Sequence, residues 1–219
     1  MKQINILSDD VLLEIFDFYT KTYPSYDVKL EVEAWQSLIH VCRRWRNIVF
    51  ESPLRLNLQL HCTPETPARD TLDIWPALPL IVKGNMTLSG TNNIIVALEE
   101  SNRVCDINLT FTGRQLEQVV ALMQARFPKL TSLRLISDGE MLPLIPNSFL
   151  AGSAPRLRFF TFDGIPFPGL PKFLLSATYL VNLWLTNIPH SGYISPEAMI
   201  ALLPVLSSLR TLSLKFQSP

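Results

Sequence analysis

From residue 54 onward one apolar pattern returns at a nearly fixed interval, and it limits this chain to few folds. The clearest copies are Val104-x-x-Ile107-x-Leu109, Leu130-x-x-Leu133-x-Leu135, Leu157-x-x-Phe160-x-Phe162, Leu180-x-x-Leu183-x-Leu185 and Leu209-x-x-Leu212-x-Leu214. Two shorter alternations precede them, Leu54-x-Leu56-x-Leu58-x-Leu60 and Leu78-Pro79-Leu80-x-Val82. With the last apolar residue of each as register, the positions are 58, 82, 109, 135, 162, 185 and 214, in steps of 23 to 29 residues. Alternating apolar residues read as short strands. The stretches between them (93–100, 115–127, 148–152, 173–177 and 196–203) read as helices, with Pro196 well placed at a helix start and Gly113, Gly164, Gly169 and Gly192 marking connections. No such unit can bury its own apolar face, so the units must stack into a continuous core. Seven strands at ~4.8 Å make a parallel sheet roughly 30 Å across.

Residues 1–53 follow a different pattern. Val11, Leu12, Ile15, Phe16 and Tyr19 fall on a helical period over 5–20, with Ser8 as N-cap and Asp9 and Asp10 in the favourable first turn. Residues 20–31, with Pro24, read as a loop. Trp35, Leu38, Val41, Cys42, Trp45, Ile48 and Val49 predict a second helix over 33–50, stopped by Ser52-Pro53. A unit of this size, below ~70–80 residues, has little core of its own. Its apolar faces exceed what two helices bury against each other, so the rest of the chain or a partner must cover them.

Composition excludes several classes. Lys plus Arg number 19 and Asp plus Glu 19, so no basic excess points to nucleic acid, and Arg43, Arg44 and Arg46 read as a solvated helix face. Hydrophobic residues make up 47%, which excludes a disordered chain, and no apolar run is long enough to span a membrane. Three scattered cysteines (Cys42, Cys62 and Cys105) and the absence of an apolar leader predict a reducing address, cytoplasm or nucleus. The N-x-T triplets at Asn85 and Asn108 then have no use. His61-Cys62 has no second ligand pair, and His40 and His190 are isolated, so no metal is expected. No phosphate loop, nucleophile elbow or dinucleotide fingerprint occurs, and adjacent acids such as Glu99-Glu100 do not face each other. No catalytic residue and no cofactor is expected.

The run Leu7-Ser8-Asp9-Asp10-Val11-Leu12-Leu13-Glu14-Ile15-Phe16, followed by Val41-Cys42-Arg43-Arg44-Trp45-Arg46 and by Ser52-Pro53-Leu54-x-Leu56, resembles an F-box. The period and the L-x-x-L-x-L core resemble leucine-rich repeats. Together they resemble the F-box plus leucine-rich-repeat proteins of expanded fungal families, in which a stretch like 72–80 also occurs. Ser8 stands where the usual box has Pro, the inter-helix segment 20–32 is longer than usual, and the repeat asparagine is absent.

The resemblance implies an α+β composite: a small all-helical F-box over 1–53, then an α/β leucine-rich-repeat solenoid with a curved parallel sheet over 54–219. It implies a non-catalytic substrate-recognition subunit of an SCF-type cullin–RING E3 ubiquitin ligase. Leu7, Val11, Leu12, Ile15, Phe16, Leu38, Val41, Cys42 and Trp45 would meet the Skp adaptor. The repeats would hold a client protein on the residues between the inward leucines, namely Asn108, Arg134, Thr161, Asp163, Trp184 and Lys215. The alternative is a repeat scaffold whose F-box acts outside a ligase or has decayed. Phe216-Gln217-Ser218-Pro219 is no polar cap, so a truncated chain, or a missing tail or partner over the last repeat, is expected.

Overall fold

The computed structural model describes residues 7–22, 34–86, 90–137 and 143–217. The loop expected over 20–31 lies mostly outside them. The chain divides into two compact units, Met1–Leu60 with Trp75–Pro79, and His61–Ile74 with Leu80–Pro219.

The first unit holds three helices among the described residues: α1 (Asp9–Thr22), α2 (Ala34–Ile39) and α3 (Arg43–Glu51). Ser8 starts α1 as expected, its Oγ accepting from the Val11 N–H at 3.4 Å. The single helix expected over 33–50 is instead two. His40-Val41-Cys42 interrupts it, and Cys42 is extended (φ −163°). All three are weak helix formers, and the break hands the last carbonyls of α2 to other donors. Val41 N–H donates to Leu38 O at 3.3 Å, and Arg46 Nε donates to Ile39 O at 3.3 Å.

Within a largely aliphatic core, buried Trp35 and Phe16 each anchor aromatic contacts. Trp35 meets Trp75 edge-on at 5.3 Å between centroids and Phe50 at 6.3 Å, while its Nε1 donates to Gln59 O at 3.3 Å. Phe16 lies 4.7 Å from Trp45. Arg44 ties α3 to the start of α1, donating to Asp9 Oδ1 and to Leu7 O. Trp75 arrives from well beyond the helices, which no local pattern signals.

The strand expected across 54–60 forms only at its end, as β1 (Leu60–Cys62). Residues 53–57 are turn, Asn57 is left-handed (φ 49°), and Leu54 is 93% exposed. The reason is that the backbone donors bond locally: Leu56 N–H to Ser52 O at 3.1 Å and Leu58 N–H to Pro53 O at 2.9 Å.

The second unit is an α/β arrangement. Its further elements are α4 (Ala68–Ile74), β2 (Leu80–Asn85), α5 (Thr91–Glu99), β3 (Val104–Phe111), α6 (Gly113–Leu122), β4 (Ser132–Ser137), β5 (Phe159–Asp163), α7 (Leu170–Leu174), β6 (Asn182–Ile188), α8 (Pro196–Leu202) and β7 (Thr211–Phe216). The sheet has seven strands in sequence order, all parallel. Each of the six connections is thus a crossover that returns the chain to the same end of the sheet, as parallel pairing demands.

Register follows the apolar pattern closely. Leu109, Leu135, Phe162, Leu185 and Leu214 are successive partners, and so are Ile107, Leu133, Phe160, Leu183 and Leu212. The second alternation is displaced: Val82 pairs with Ile107 and Gly84 with Leu109, after an irregularity at Leu80/Ile81. With a single L-x-V pair, β2 has no pattern that distinguishes the two registers.

Helices found at α5 and α8 match their expected spans closely, whereas α6 stops at Leu122 and α7 begins three residues early. The stretch 148–152 is a single 3-10 turn, Phe149–Gly152, with Leu150 and Ala151 left-handed (φ 51° and 53°). Two buried side chains, Phe149 and Leu150, hold it. Phe149, Phe160, Phe162, Phe167 and Phe173 pack as one cluster with neighbouring centroids between 4.4 and 6.1 Å.

Gly90 precedes α5 with φ 101°, and a Cβ there would overlap the Pro64 carbonyl, standing 2.6 Å from its carbon and 2.9 Å from Pro64 Cα. Both the dihedral and the contact forbid a side chain. Gly90→Ala should lower stability by more than about 2 kcal/mol, read as a drop in the urea midpoint at unchanged slope.

Candidate functional site

Helix α1 carries apolar residues on two sides. Leu12 and Phe16 point inward and are 1% and 0% exposed. Leu7, Val11 and Ile15, four residues apart, face outward, exposed by 38%, 43% and 46%. Residues four apart stack on one face of a helix, so Val11 and Ile15 form a stripe on α1, while Leu7 stands just before the Ser8 cap and the helix itself. Phe18, one turn further, continues it and is largely exposed. At the bend between α2 and α3, Val41 and Cys42 are also exposed.

The nine residues expected on the adaptor face therefore separate. Leu7, Val11, Ile15, Val41 and Cys42 lie on the surface. Leu12, Phe16 and Leu38 are covered by this unit's own helices, because the apolar positions that pack α1 and those it displays differ by one residue in sequence. They support the surface from beneath and do not form it. Trp45 is half-buried against Phe16, and its Nε1 has neither solvent nor a hydrogen-bond partner among the described residues. Such an orphaned donor costs about 1–3 kcal/mol. The sequence reading missed Phe18, although its i+3 spacing from Ile15 was the available signal.

Arginines beside this stripe are occupied within the unit. Arg44 bonds Asp9, Arg46 donates to Ile39 O, and Arg55 pairs with Glu14. They orient helices here and do not form a free cationic face.

The second unit displays the outward face of its sheet. Asn108, Arg134, Thr161, Trp184 and Ser213 are successive register partners across β3 to β7. The next row is Thr110, Ile136, Asp163 and Thr186. All six residues expected on a client surface thus belong to β3–β7, with Lys215 exposed near the end of β7. Trp184 is 42% exposed, and Asn108, Thr161 and Asp163 are half-buried. Asp163 is engaged, its Oδ1 accepting from Asn187 Nδ2 at 2.7 Å.

Phe159, 45% exposed, was not among the expected residues. It stands two positions before Thr161 on the same strand, so period-two alternation puts it on the same face. Together with Trp184 it gives that face two aromatic side chains, the type favoured at the centre of interfaces.

Two cysteines and one acid of the second unit are shifted by burial. Burial pushes the Cys62 thiol up to about 11, against the opposing charge of Arg103. Burial, then the neighbouring Asp106 charge, also raises Cys105, whose Sγ donates to Leu80 O at 3.3 Å. Asp106 is itself raised by burial, partly offset by Lys83. No group of three or more His, Cys, Asp or Glu side chains among the described residues could hold a metal ion, and no helix among them is long and apolar enough to cross a membrane.

Thiol access follows from these placements. Under native conditions near neutral pH, an aromatic disulfide reagent should modify Cys42 first, Cys105 slowly, and Cys62 only on unfolding. Mass spectrometry of the labelled peptides gives the order, and early labelling of Cys62 would contradict the burial described.

A scan against protein-family models, a search of curated proteins and a search of solved structures each return no match to this chain.

Proposed function

We propose that the chain is a non-catalytic substrate-recognition subunit of a cullin–RING ubiquitin ligase, its helical unit an F-box that docks the Skp adaptor and its repeats a leucine-rich-repeat surface for a client. The observation that carries this reading is the exposed Val11 and Ile15 on α1, with Leu7 exposed just before that helix and Val41 and Cys42 exposed at the bend in the same unit. Full burial of an aliphatic side chain is worth about 1.5–3 kcal/mol, so several half-exposed ones reward a partner with an apolar surface. Those residues fall inside the segments that resemble the box. The outward sheet face, with Trp184, Phe159 and Arg134, supports a protein-binding role for the repeats. Catalysis in this reading is proximity alone: the client's lysines are held near the ubiquitin-loaded enzyme at raised effective concentration.

The test is co-expression of the chain with the Skp adaptor, followed by pull-down and size-exclusion chromatography. The informative variant is Val11→Asp/Ile15→Asp. Both positions are exposed, so the unit should still fold, whereas Leu12→Asp would place a charge in its core. Two unpaired charges buried under the adaptor should weaken the complex by at least about a hundredfold. Loss of a stoichiometric complex in the variant, with wild-type thermal stability, supports the reading. A folded wild-type chain that forms no complex overturns it and leaves a repeat scaffold.

A further inference from the structure

Before each later strand of the second unit the chain makes the same step. Arg158 N–H donates to Thr131 O at 2.8 Å, Val181 N–H to Arg158 O at 2.8 Å, and Arg210 N–H to Val181 O at 2.8 Å. Thr131, Arg158, Val181 and Arg210 are therefore successive rungs of one ladder along the strand starts. Neighbouring rungs are ~4.8 Å apart, which sets the Arg158 and Arg210 backbones about 10 Å apart, with Val181 between them.

An open groove of about 870 Å³ lies along these rungs, lined in part by Arg156, Arg158, Tyr179, Ser207, Ser208 and Arg210. Among the described residues, no carboxylate lines it. The three arginines are exposed, and none of them forms an ion pair among the described residues. In a chain with as many acids as bases, this is a local excess of positive charge on one concave surface. Guanidinium forks match carboxylate and phosphate oxygens with paired hydrogen bonds. Ser207 and Ser208 add hydroxyl groups, and Tyr179 adds a ring against which an extended chain can lie.

We propose that this groove binds an acidic segment of a partner protein, its carboxylate or phosphate groups gripped by Arg156, Arg158 and Arg210. That the partner is the ligase's client rests on the function proposed above; the binding of an acidic segment does not. A protein segment fits better than nucleic acid, because the cationic residues are confined to one short groove and the chain has no net positive charge to follow a long backbone.

The test uses the full chain, with no adaptor present, in fluorescence-anisotropy titrations. Three labelled peptides of one length are compared: glutamate-rich, the same with phosphoserine at central positions, and the same with glutamine throughout. The two acidic peptides should bind and the glutamine peptide should not. Affinity should fall as salt rises, since the contacts are exposed charge pairs. Arg158→Gln and Arg210→Gln should each weaken binding by about tenfold, and Arg156→Gln/Arg158→Gln/Arg210→Gln should abolish it without shifting the thermal midpoint. A clear preference for phosphoserine identifies phosphate as the anion, and parity identifies carboxylate; both support the groove.

Three results overturn the proposal: equal binding of all three peptides, undiminished binding by the folded triple variant, or tighter arginine-dependent binding of oligouridine than of either acidic peptide. Because the adaptor is absent, failure here leaves the pull-down result standing, and failure of the pull-down leaves this one standing.

Discussion

The rows of Leu, Ile and Phe that run from strand to strand are the constraint on which the second unit depends. Ile107, Leu133, Phe160 and Leu183 form one row, and Leu109, Leu135, Phe162 and Leu185 the next, all buried. In a parallel sheet a slip of one residue would turn every one of these side chains to solvent. The inward rows therefore fix the outward ones. Arg134, Thr161 and Trp184 stand in line because Leu133, Phe160 and Leu183 do. The same rungs set Arg158 and Arg210 along one groove, so the shape of that groove is a by-product of core packing. The phenylalanine cluster around Phe149 fills the layer behind the middle strands, where a 3-10 turn replaces a helix.

In the first unit the corresponding constraint is aromatic. Trp35, Phe50 and Trp75 pack edge to face, the arrangement aromatic rings favour. Phe16 against Trp45 holds α1 with its second apolar stripe facing outward. This helix packs Leu12 and Phe16 inside and leaves Val11 and Ile15 outside, so adjacent residues divide between core and surface.

These two levels were not equally legible in the sequence. The later repeats announced their register because L-x-x-L-x-L fixes three positions at once, and the period confirmed each against the next. The first two alternations could not do so: Leu54 sits in a turn, and β2 offers only one apolar pair. The break at Cys42 was hidden because residues on both sides of it continue one apolar stripe, and only three weak helix formers mark it. The sequence put Val11, Leu12, Ile15 and Phe16 on one wide helical face, which the structure divides into a covered and an exposed side. Which stripe is covered depends on Trp45, which is remote in sequence. The arginine groove was invisible for a related reason, since Arg156 and Arg210 belong to different repeats and no linear charge cluster joins them.

The return of Trp75–Pro79 to the first unit has a consequence for dissection of the protein. The polypeptide leaves that unit at Leu60, contributes β1 and α4 to the other, and comes back before β2 begins. No single cut separates the two. A fragment ending at residue 53 or 60 would lose the indole that lies 5.3 Å from Trp35, and a fragment starting at residue 80 would lose α4. The units are interlaced along the backbone, so either one cut out as a continuous stretch of chain and transplanted alone would carry an unfilled socket.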